Sequence, residues 1–471
     1  MSTGDLSSEA TVTSEATAGP FAPAYRLITV ALVALVTIIA FEFMAIATAM
    51  PSAAVELDAV RSYGLAFSVM LTAELLGIVV AGVWADRSGP MPGLYTGQLL
   101  FILGAATCGL ATSFPMLLVG RVITGLGSGI VVVVLYVVVG QVYPAAVRPR
   151  VFSYVSAAWV LPSLVGAPLS GWLASAFTWR LVFWVVVPPA LVTLAIVRRQ
   201  SAAIRGRDDR AQHGAAERSR HRRTAQLGVL VALAAGLVQL GTHERFPLLS
   251  WQSVAAVVGV AGLLVVTPRL LPAGTARMAR GMPSVILSRF LLNTAFNGSI
   301  TFIPLMLTQI RGAPLSFAGA VLAVGSLGWT AGSWIQGLRS MAGRRADLVS
   351  LGGMFLASGC ATLALIAWSG VPVWYFGLAM VLAGLGMGLA STSLSVLVLD
   401  LAPAGEFGNA SASLQLSDVL GSVIGIAAAS AIFASLHVTG GDSRTYVVIW
   451  GLLAAVAALV VLGGRRCAPR G

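Results

Sequence analysis

The sequence predicts an all-α polytopic membrane protein with fourteen transmembrane helices, and its composition and apolar patterning support this prediction. Of the 471 residues, 57% are hydrophobic and only 10% are charged, whereas soluble domains average about 25% charged residues. The mean hydropathy is +0.90, and apolar stretches long enough to cross a bilayer follow one another along the chain. These stretches are rich in Gly and Ala and do not alternate in polarity, so packed helices are favoured over a β-barrel.

Fourteen stretches are predicted as spans, the weakest being the seventh and eighth, which flank the polar break THERF at 242–246. The predicted spans are 27–50, 63–84, 93–113, 115–139, 151–175, 181–197, 225–242, 250–267, 283–308, 315–338, 347–368, 372–397, 408–436 and 444–463. Because the number is even, the two termini are expected on the same side of the membrane.

Basic residues are distributed unevenly between the two sides of the predicted bundle. All 29 are Arg, and most lie in loops on the same side as the N-terminus. Because loops rich in Lys and Arg remain inside the cell, both termini are predicted to be cytoplasmic in a bacterial plasma membrane. The net charge of +12 follows from this asymmetry, so no nucleic-acid partner is predicted and the lipid bilayer is the expected surrounding.

The predicted organisation divides the chain into six parts. Residues 1–24 are rich in Ser, Thr, Ala and Glu, and we expect a disordered tail. The other parts are a six-helix bundle at 25–197, a cytoplasmic Arg-rich linker at 198–223, two extra helices with their loop at 224–280, a second six-helix bundle at 281–463 and a tail at 464–471. The linker is interpreted as an inside-positive connection or as a contact for anionic lipid headgroups.

An internal repeat connects the two bundles. Span 4 contains ITGLGSGI at 123–130 and span 12 contains LAGLGMGL at 382–389, and the same offset aligns the segments that follow them. Duplicated halves are typical of secondary transporters, which bind substrate between the repeats. Chance similarity between helices rich in Gly and Ala is the alternative.

Three ionisable residues lie inside predicted spans of the first bundle. Glu42 is near the middle of span 1, Glu74 is near the middle of span 2, and Arg121 is in the outer third of span 4. A charge at this depth is costly unless it is neutralised, paired or hydrated. We therefore predict a proton-coupling group made of Glu42, Glu74 and Arg121, in which either glutamate could pair with the arginine. The alternative is a static buried ion pair with structural hydrogen bonds.

Several motifs resemble those of the major facilitator superfamily. The segment GVWADRSG at 82–89 is similar to the signature G-x-L-A-D-R-x-G-R-K, and GRVITGLGSG at 120–129 resembles R-x-x-Q-G-x-G-x-G. The segment FEFMAIATAMP at 41–51 resembles the first span of the 14-span drug:proton antiporters, with Glu42 matching the acid. The resemblance implies two six-helix halves plus two extra helices, and it assigns the matching acid to proton and cation coupling.

Span 5 departs from the family's antiporter signature. It reads LPSLVGAPLSGWL at 161–173, whereas the signature ends G-P-x-x-G-G, and this difference weakens the antiporter inference. Glycines and prolines thin a helix and interrupt its backbone hydrogen bonds, so we predict a close-packed hinge in spans 4 and 5, with simple packing as the alternative. The predicted hinge residues are Gly125, Gly129, Pro162, Gly166, Pro168 and Gly171.

Two cytoplasmic loops each hold half of the family's gate motif. The loop after span 2 keeps the acid but has Pro90 and Met91 in place of two basic residues, and the loop after span 10 has Ser340 in place of the acid. The resemblance therefore implies a weakened cytoplasmic gate. Its residues would be Gly82, Asp86, Arg87, Gly89, Gly343, Arg344 and Arg345.

The same resemblance implies that spans 1, 4, 9 and 12 line a cavity between the halves. Span 9 carries Arg289 and three further polar residues at i, i+4 spacing, so they share one helix face. Span 13 carries a second polar stripe near mid-depth. The predicted substrate cavity residues are Asn293, Asn297, Thr301, Asp418 and Gln415. For Asp418, a hydrogen bond between packed helices is the alternative.

No enzyme site stands out from the sequence. The four histidines lie in loops or at a span end without the spacing of metal ligands. No G-x-x-x-x-G-K-[ST] loop is present, so the chain encodes no ATP-driven pump. The three cysteines are not expected to form a structural disulfide. We predict no cofactor, no metal and a monomer.

The sequence thus predicts a proton-coupled antiporter that exports a lipophilic small molecule, which can be cationic. The first alternative is the same fold with another cargo, such as an endogenous lipid or metabolite. The second is a membrane receptor or scaffold that does not transport, since relaxed gating would leave half-signatures in both loops.

Overall fold

The computed structural model describes residues 19–23, 25–144, 147–205, 215–242, 251–401, 407–437 and 443–468. Most of the predicted N-terminal tail, the centre of the Arg-rich linker at 206–214 and the break at 243–250 lie outside these ranges. The described residues contain sixteen α-helices, three 3-10 turns and no strand.

The helices follow one another with short connections. They are α1 Arg26–Glu56, α2 Leu65–Ser88, α3 Pro90–Gly109, α4 Phe114–Val142, α5 Arg148–Ala157, α6 Val160–Ala176, α7 Arg180–Trp184, α8 Val187–Arg205, α9 Ala215–Thr242, α10 Trp251–Leu270, α11 Met282–Gln309, α12 Leu315–Gly337, α13 Arg345–Ser369, α14 Tyr375–Asp400, α15 Phe407–Leu436 and α16 Ser443–Cys467.

Ten helical segments in the described residues are long and apolar enough to cross a membrane. Shorter apolar helices occur at Leu164–Ala176, Gln226–Gln239 and Val254–Arg269. The protein is therefore a multi-pass, all-helical membrane protein. The count of fourteen spans stays a prediction, because α3, α6, α9 and α10 are not among the ten segments.

The fifth predicted span is broken into two helices. Helix α5 ends at Ala157 and α6 begins at Val160, so the break lies at Ala158 and Trp159. Pro162 has no N–H to donate to the Ala158 carbonyl four residues earlier, and its ring crowds that carbonyl, so this proline accounts for the interruption. Pro168, by contrast, lies inside α6, which continues through it.

Several helices are longer than predicted. Helix α1 continues through Pro51 to Glu56. Helix α8 continues to Arg205 and α9 begins at Ala215, so both described ends of the predicted linker are helical. Helix α16 runs to Cys467, which is buried rather than part of a free tail. Polar side chains at helix ends can reach the interface, so hydropathy alone places the ends of membrane helices poorly.

Four apolar cores lie within the described residues. One core lies within α1–α8 and another within α11–α16, each at the end of its bundle that carries the chain's Arg-rich loops. The third core contains residues of both bundles, including Tyr63, Phe302 and Phe433, and it lies at the opposite end. The fourth joins α9 and α10 to α2 and α15. The two halves thus share a core at one end (the joined end), whereas each half has its own core at the other.

At the joined end, α6 and α12 cross with their backbones in contact. A Cβ atom on Gly171 would lie 2.6 Å from the carbonyl oxygen of Leu315, and one on Gly319 would lie 2.7 Å from the carbonyl carbon of Ala167. Apolar side chains gain little from leaving lipid for protein, so close backbone packing of this kind is a main source of helix association in membranes.

Candidate functional site

A buried ion pair lies in the first half. The Arg121 guanidinium on α4 donates through Nη1 to Oε1 of Glu42 on α1. Their side chains are only 2% and 1% exposed. The pair predicted from the sequence is therefore present, with Glu42 rather than Glu74 as the direct partner. Because removing either member would leave an uncompensated buried charge, the two residues are energetically linked.

Arg121 also connects its helix to α2. Its Nε donates to the carbonyl oxygen of Ala66 at 3.1 Å, and Nη2 lies 2.7 Å from the Met70 sulfur. One turn and two turns beyond Arg121, Gly125 and Gly129 pack directly on the α2 backbone. These two predicted hinge residues allow α4 to approach α2 closely, and the arginine thereby ties α1, α2 and α4 together.

The Glu42 carboxylate is only partly satisfied. Its Oε2 is buried and makes no hydrogen bond with any described residue. Glu74 lies near enough for its charge to interact with those of Glu42 and Arg121. Glu74 is half-buried, and no hydrogen bond joins it to the described part of the chain. Arg121 is thus hydrogen-bonded to one carboxylate and within electrostatic range of a second, and the group carries one net negative charge when both are ionised.

A second arginine forms a more complete network in the other half. Arg289 on α11 binds Asp418 on α15 through two hydrogen bonds, and the one from Nη2 to Oδ2 is 2.8 Å long. Its Nη1 donates to the Ser391 carbonyl oxygen on α14 at 2.7 Å. Asn293 donates to Asp418 Oδ1 at 2.7 Å. Three donors therefore compensate the Asp418 carboxylate. The Arg289 and Asp418 side chains are 12% and 19% exposed.

The predicted stripe on α11 continues this network. Asn297 Nδ2 donates to Ser422 Oγ at 3.0 Å, and the Thr301 hydroxyl donates to the Asn297 carbonyl oxygen at 2.7 Å. The structure thus brings Asn293, Asn297 and Asp418 together, and Thr301 lies one helical turn nearer the joined end. Gln415 is exposed and has no hydrogen bond to a described residue, so it does not join this group.

Tyr63 connects the two halves at their joined end. Its hydroxyl donates to the Thr301 carbonyl oxygen at 2.9 Å. Its ring lies 5.6 Å from that of Phe302, which in turn lies 5.2 Å from Phe433. Beside these rings Gly64 packs against Ser430. This layer of side chains fills the space between the halves at their joined end, beyond both arginine networks.

The predicted hinge residues of α6 contact two different partners. Gly166 faces Phe41 and Met44 of α1, and Ser170 donates to the Ala45 carbonyl oxygen. Gly171 instead faces α12 of the other half. Pro162 is buried and Pro168 is half-buried within α6. The region is close-packed as predicted, whereas motion about it remains a prediction.

The predicted cytoplasmic gate is only partly described. Gly82, Asp86 and Arg87 lie on α2, but their side chains are outside the described residues, and Gly89 begins the turn to α3 with φ 74°. Gly343 and Arg344 are exposed. Arg345 donates to Asp400 at the end of α14 at 2.8 Å. The second loop therefore takes its acid from another helix, not from position 340.

Sequence reasoning missed several of these contacts. It placed Arg289 on the polar stripe without naming it as a site residue, and it gave no partner for Arg345. The acids at 400 and 418 are far away in the chain, so only the helix packing pairs them. The Ala66 and Ser391 carbonyl groups and the Met70 sulfur carry no polar sequence signal.

The described residues contain no cluster of three or more His, Cys, Asp or Glu side chains that could hold a metal ion. All three cysteines are buried and free.

Proteins named as transporters match most of the chain. A multidrug transporter protein (MdtP) of Bacillus subtilis is 23% identical over 400 residues, which cover 82% of this chain and 71% of that protein. A triacylglyceride transporter of Mycolicibacterium smegmatis is 28% identical, over 77% of this chain and 67% of that protein. An uncharacterized MFS-type transporter of Mycobacterium tuberculosis H37Rv is 24% identical over 82% of this chain, and the chain spans only 56% of its length.

Solved structures share the fold at low sequence identity. A peptide transporter, POT, in complex with sulfate superposes with a TM-score of 0.68 at 16% identity, over 96% of each chain. A D-xylose–proton symporter gives a TM-score of 0.57 at 15% identity, over 90% of this chain and 96% of that one. The family model of the Major Facilitator Superfamily matches residues 32–426. The chain therefore belongs to the major facilitator superfamily, whose members are membrane transporters of small molecules and not enzymes.

Proposed function

We propose that this protein is a proton-coupled antiporter that exports a lipophilic small molecule, cationic ones included, across a bacterial plasma membrane. Its fourteen spans would leave both termini in the cytoplasm, and the monomer would work by alternating access. The observation that carries the proposal is the buried Glu42–Arg121 pair with Glu74 beside it. Relatives named as multidrug transporters favour drug-like cargo.

Protonation of Glu42 would remove one of the two negative charges of this group and leave the Arg121 charge to be balanced by Glu74. The neutral carboxyl group would attract Arg121 less strongly, and Glu74 would then be the remaining acid available to the guanidinium. Because Arg121 links α1 to α2 and α4, weakening one bond would alter how these helices pack. Proton binding can thereby shift the population between two packed states.

Glu74 would be the group for which the cargo and the proton compete. It has no hydrogen bond to a described residue, and with both acids ionised the group carries a net negative charge. A lipophilic cation could therefore bind near Glu74 when the carboxylate is free. A proton on the same carboxylate would remove that attraction, so proton and cation would compete, as exchange requires.

Asp418 is held by more hydrogen bonds than Glu42. Its carboxylate accepts three, two from Arg289 and one from Asn293, whereas the Glu42 carboxylate accepts one, from Arg121. Hydrogen bonds to a charged group contribute about 1.5–3 kcal/mol each, so the second network favours a stable charged pair. We assign it to shaping the polar wall of the cavity.

The halves are joined at the end that the Arg distribution assigns to the outside. On this assignment the state described here is open to the cytoplasm, where an exporter collects cargo. Tyr63 and Phe302 would then form part of the closed outer gate.

An endogenous lipid or metabolite is the second candidate cargo. Two relatives are named as triacylglyceride transporters, and the polar wall around Asn293 and Asn297 offers hydrogen bonds that a simple cation would not need. Protonophore-sensitive lipid export without protection against drugs would favour this candidate.

The test is ethidium efflux from bacterial cells that lack their own exporters, with and without a protonophore. We expect protonophore-sensitive efflux from the parent protein, and its loss in Glu42→Gln and in Arg121→Ala. Asp58→Asn is the matched control, because this acid is exposed in the turn that follows α1. Efflux that continues unchanged in Glu42→Gln would overturn the assignment of the proton to that residue.

A further inference from the structure

The two additional helices, α9 and α10, pack tightly on each other. A Cβ atom on Gly259 of α10 would lie 2.6 Å from the Ala234 carbonyl oxygen of α9 and 2.7 Å from the Val238 nitrogen. Such close backbone contact makes the α9–α10 pair a rigid unit.

This pair is attached to the first half by polar and close contacts. Gln239 of α9 is 2% exposed, and its Nε2 donates to the Ser68 carbonyl oxygen at 3.1 Å and to Thr72 Oγ1 at 2.6 Å, both on α2. Further along, a Cβ atom on Gly228 would lie 3.5 Å from the Cβ of Val79. Directional hydrogen bonds fix the register of α9 on α2.

The contact of the α9–α10 pair with the second half is made by apolar side chains. Apolar residues of α9 and α10 share one core with α2 and with Leu420, Val423 and Ile426 of α15. Apolar surfaces tolerate small sliding movements that hydrogen-bonded surfaces resist.

The α9–α10 pair thus covers the seam between the halves, where α2 meets α15. Leu75 and Leu420 on either side of this seam are buried, at 1% and 0% exposure. The opposite surface of α10 is strongly apolar and exposed, as a lipid-facing surface should be. Its exposed residues are Val254, Val257, Val258, Val260 and Val265.

We propose that the α9–α10 pair moves with the first half and seals the α2–α15 seam against lipid and cargo while the halves rock. The movement in this inference rests on the alternating access proposed above. The hydrogen bonds from Gln239 would keep α9 on α2, and the apolar face would slide on α15. Lipid would then not enter the cavity through this seam in either state.

The seal can be tested without knowing the cargo. A photoreactive diazirine amino acid is placed at Leu75, under the pair, or at Leu161 on α6, which is 64% exposed. After illumination in energised and de-energised membranes, Leu75 should give adducts with α9 or α15 peptides and Leu161 should give phospholipid adducts. Phospholipid adducts at Leu75 in either condition would overturn the seal.

Two disulfides test the movement. Val79→Cys with Gly228→Cys joins α9 to α2 at a Cβ separation of 3.5 Å, which suits a disulfide. Gly64→Cys with Ser430→Cys joins the two halves, at a Cβ separation of 2.7 Å that needs a small shift. Mass spectrometry verifies each bond, and the three native cysteines are buried.

With ethidium as the probe, oxidation should leave efflux unchanged for the first disulfide and abolish it for the second. Loss of efflux with the α9–α2 disulfide, restored by reduction, would show that α9 does not move with α2 and would overturn the inference. Continued efflux with the Gly64–Ser430 positions bridged would instead contradict alternating access. If the parent protein fails to move ethidium, the proposed cargo is wrong and the photolabelling result still decides the seal.

Discussion

Tyr63, in the turn before α2, and Thr301 on α11 are joined by a 2.9 Å hydrogen bond that crosses from one half of the protein to the other. The acceptor is a backbone carbonyl group, so no choice of side chain at position 301 removes it. The donor, by contrast, is a single hydroxyl group on a fully buried ring. A net contribution of about 0.5–1.5 kcal/mol to the joined end of the halves, which is the proposed outer gate, is expected from such a bond.

Replacement of Tyr63→Phe should therefore favour the state that is open to the outside. The ring packing against Phe302 is kept and only the hydrogen bond is lost. Labelling of Ser430→Cys with an impermeant maleimide from outside reports opening, and its rate should rise about twofold to tenfold. Tyr446→Phe is the matched control, since this buried tyrosine makes no hydrogen bond to a described residue. Equal rates in the two variants would contradict the role of the hydroxyl.

The outer end should also loosen in acid. His437 stacks on Phe433, and burial together with the nearby Arg61 guanidinium holds the pKa of His437 below its usual range. The closed end is therefore most stable above the ordinary histidine pKa of about 6.5 and loses this stability as the pH falls below it. Labelling of Ser430→Cys should rise between pH 7.5 and pH 5.5, relative to the same measurement in His437→Gln. The same pH dependence with and without the histidine would exclude it as the cause.

The two arginine networks should respond differently to removal of their acids. Asp418→Asn leaves Arg289 with a weaker partner, and breaking a buried pair costs about 3–5 kcal/mol. The pair is partly exposed, so we expect a loss near the lower end, seen as a lower melting temperature in detergent. Transport should keep its pH dependence. Glu42→Gln should instead abolish efflux, and efflux that persists with the pH profile of the parent protein would contradict the proposed role of Glu42.

The sequence was sufficient to predict the elements of this fold but not all of their partners. Apolar stretches predicted an all-helical membrane protein, and intramembrane position singled out Glu42 and Arg121, because few other residues are charged at that depth. The direct partner of Arg121 depended on helix packing, which leaves Glu74 outside the hydrogen-bonded pair. Arg345 and Asp400 pair across helices for the same reason.

The break in span 5 shows a second limit of sequence reasoning. Pro162 removes the hydrogen bond to the Ala158 carbonyl, and the helix is interrupted at Ala158 and Trp159. Pro168 carries the same sequence signal, yet α6 continues through it. Which of the two prolines interrupts the helix therefore depends on tertiary packing, which a single sequence does not reveal.

The crossing of α6 and α12 provides the last prediction. A Cβ atom on Gly319 would meet the α6 backbone at Ala167 and Pro168, and backbone cannot move aside as a flexible side chain can. Gly319→Ala should push the helices apart and lower both thermal stability and ethidium efflux, although alanine is the better helix former by about 1 kcal/mol. Gly377→Ala on α14 is the matched control, because a Cβ there meets nothing within 4 Å. It should keep efflux and leave stability equal or slightly higher. If Gly319→Ala behaved like Gly377→Ala, the two halves would not depend on close backbone contact at this crossing.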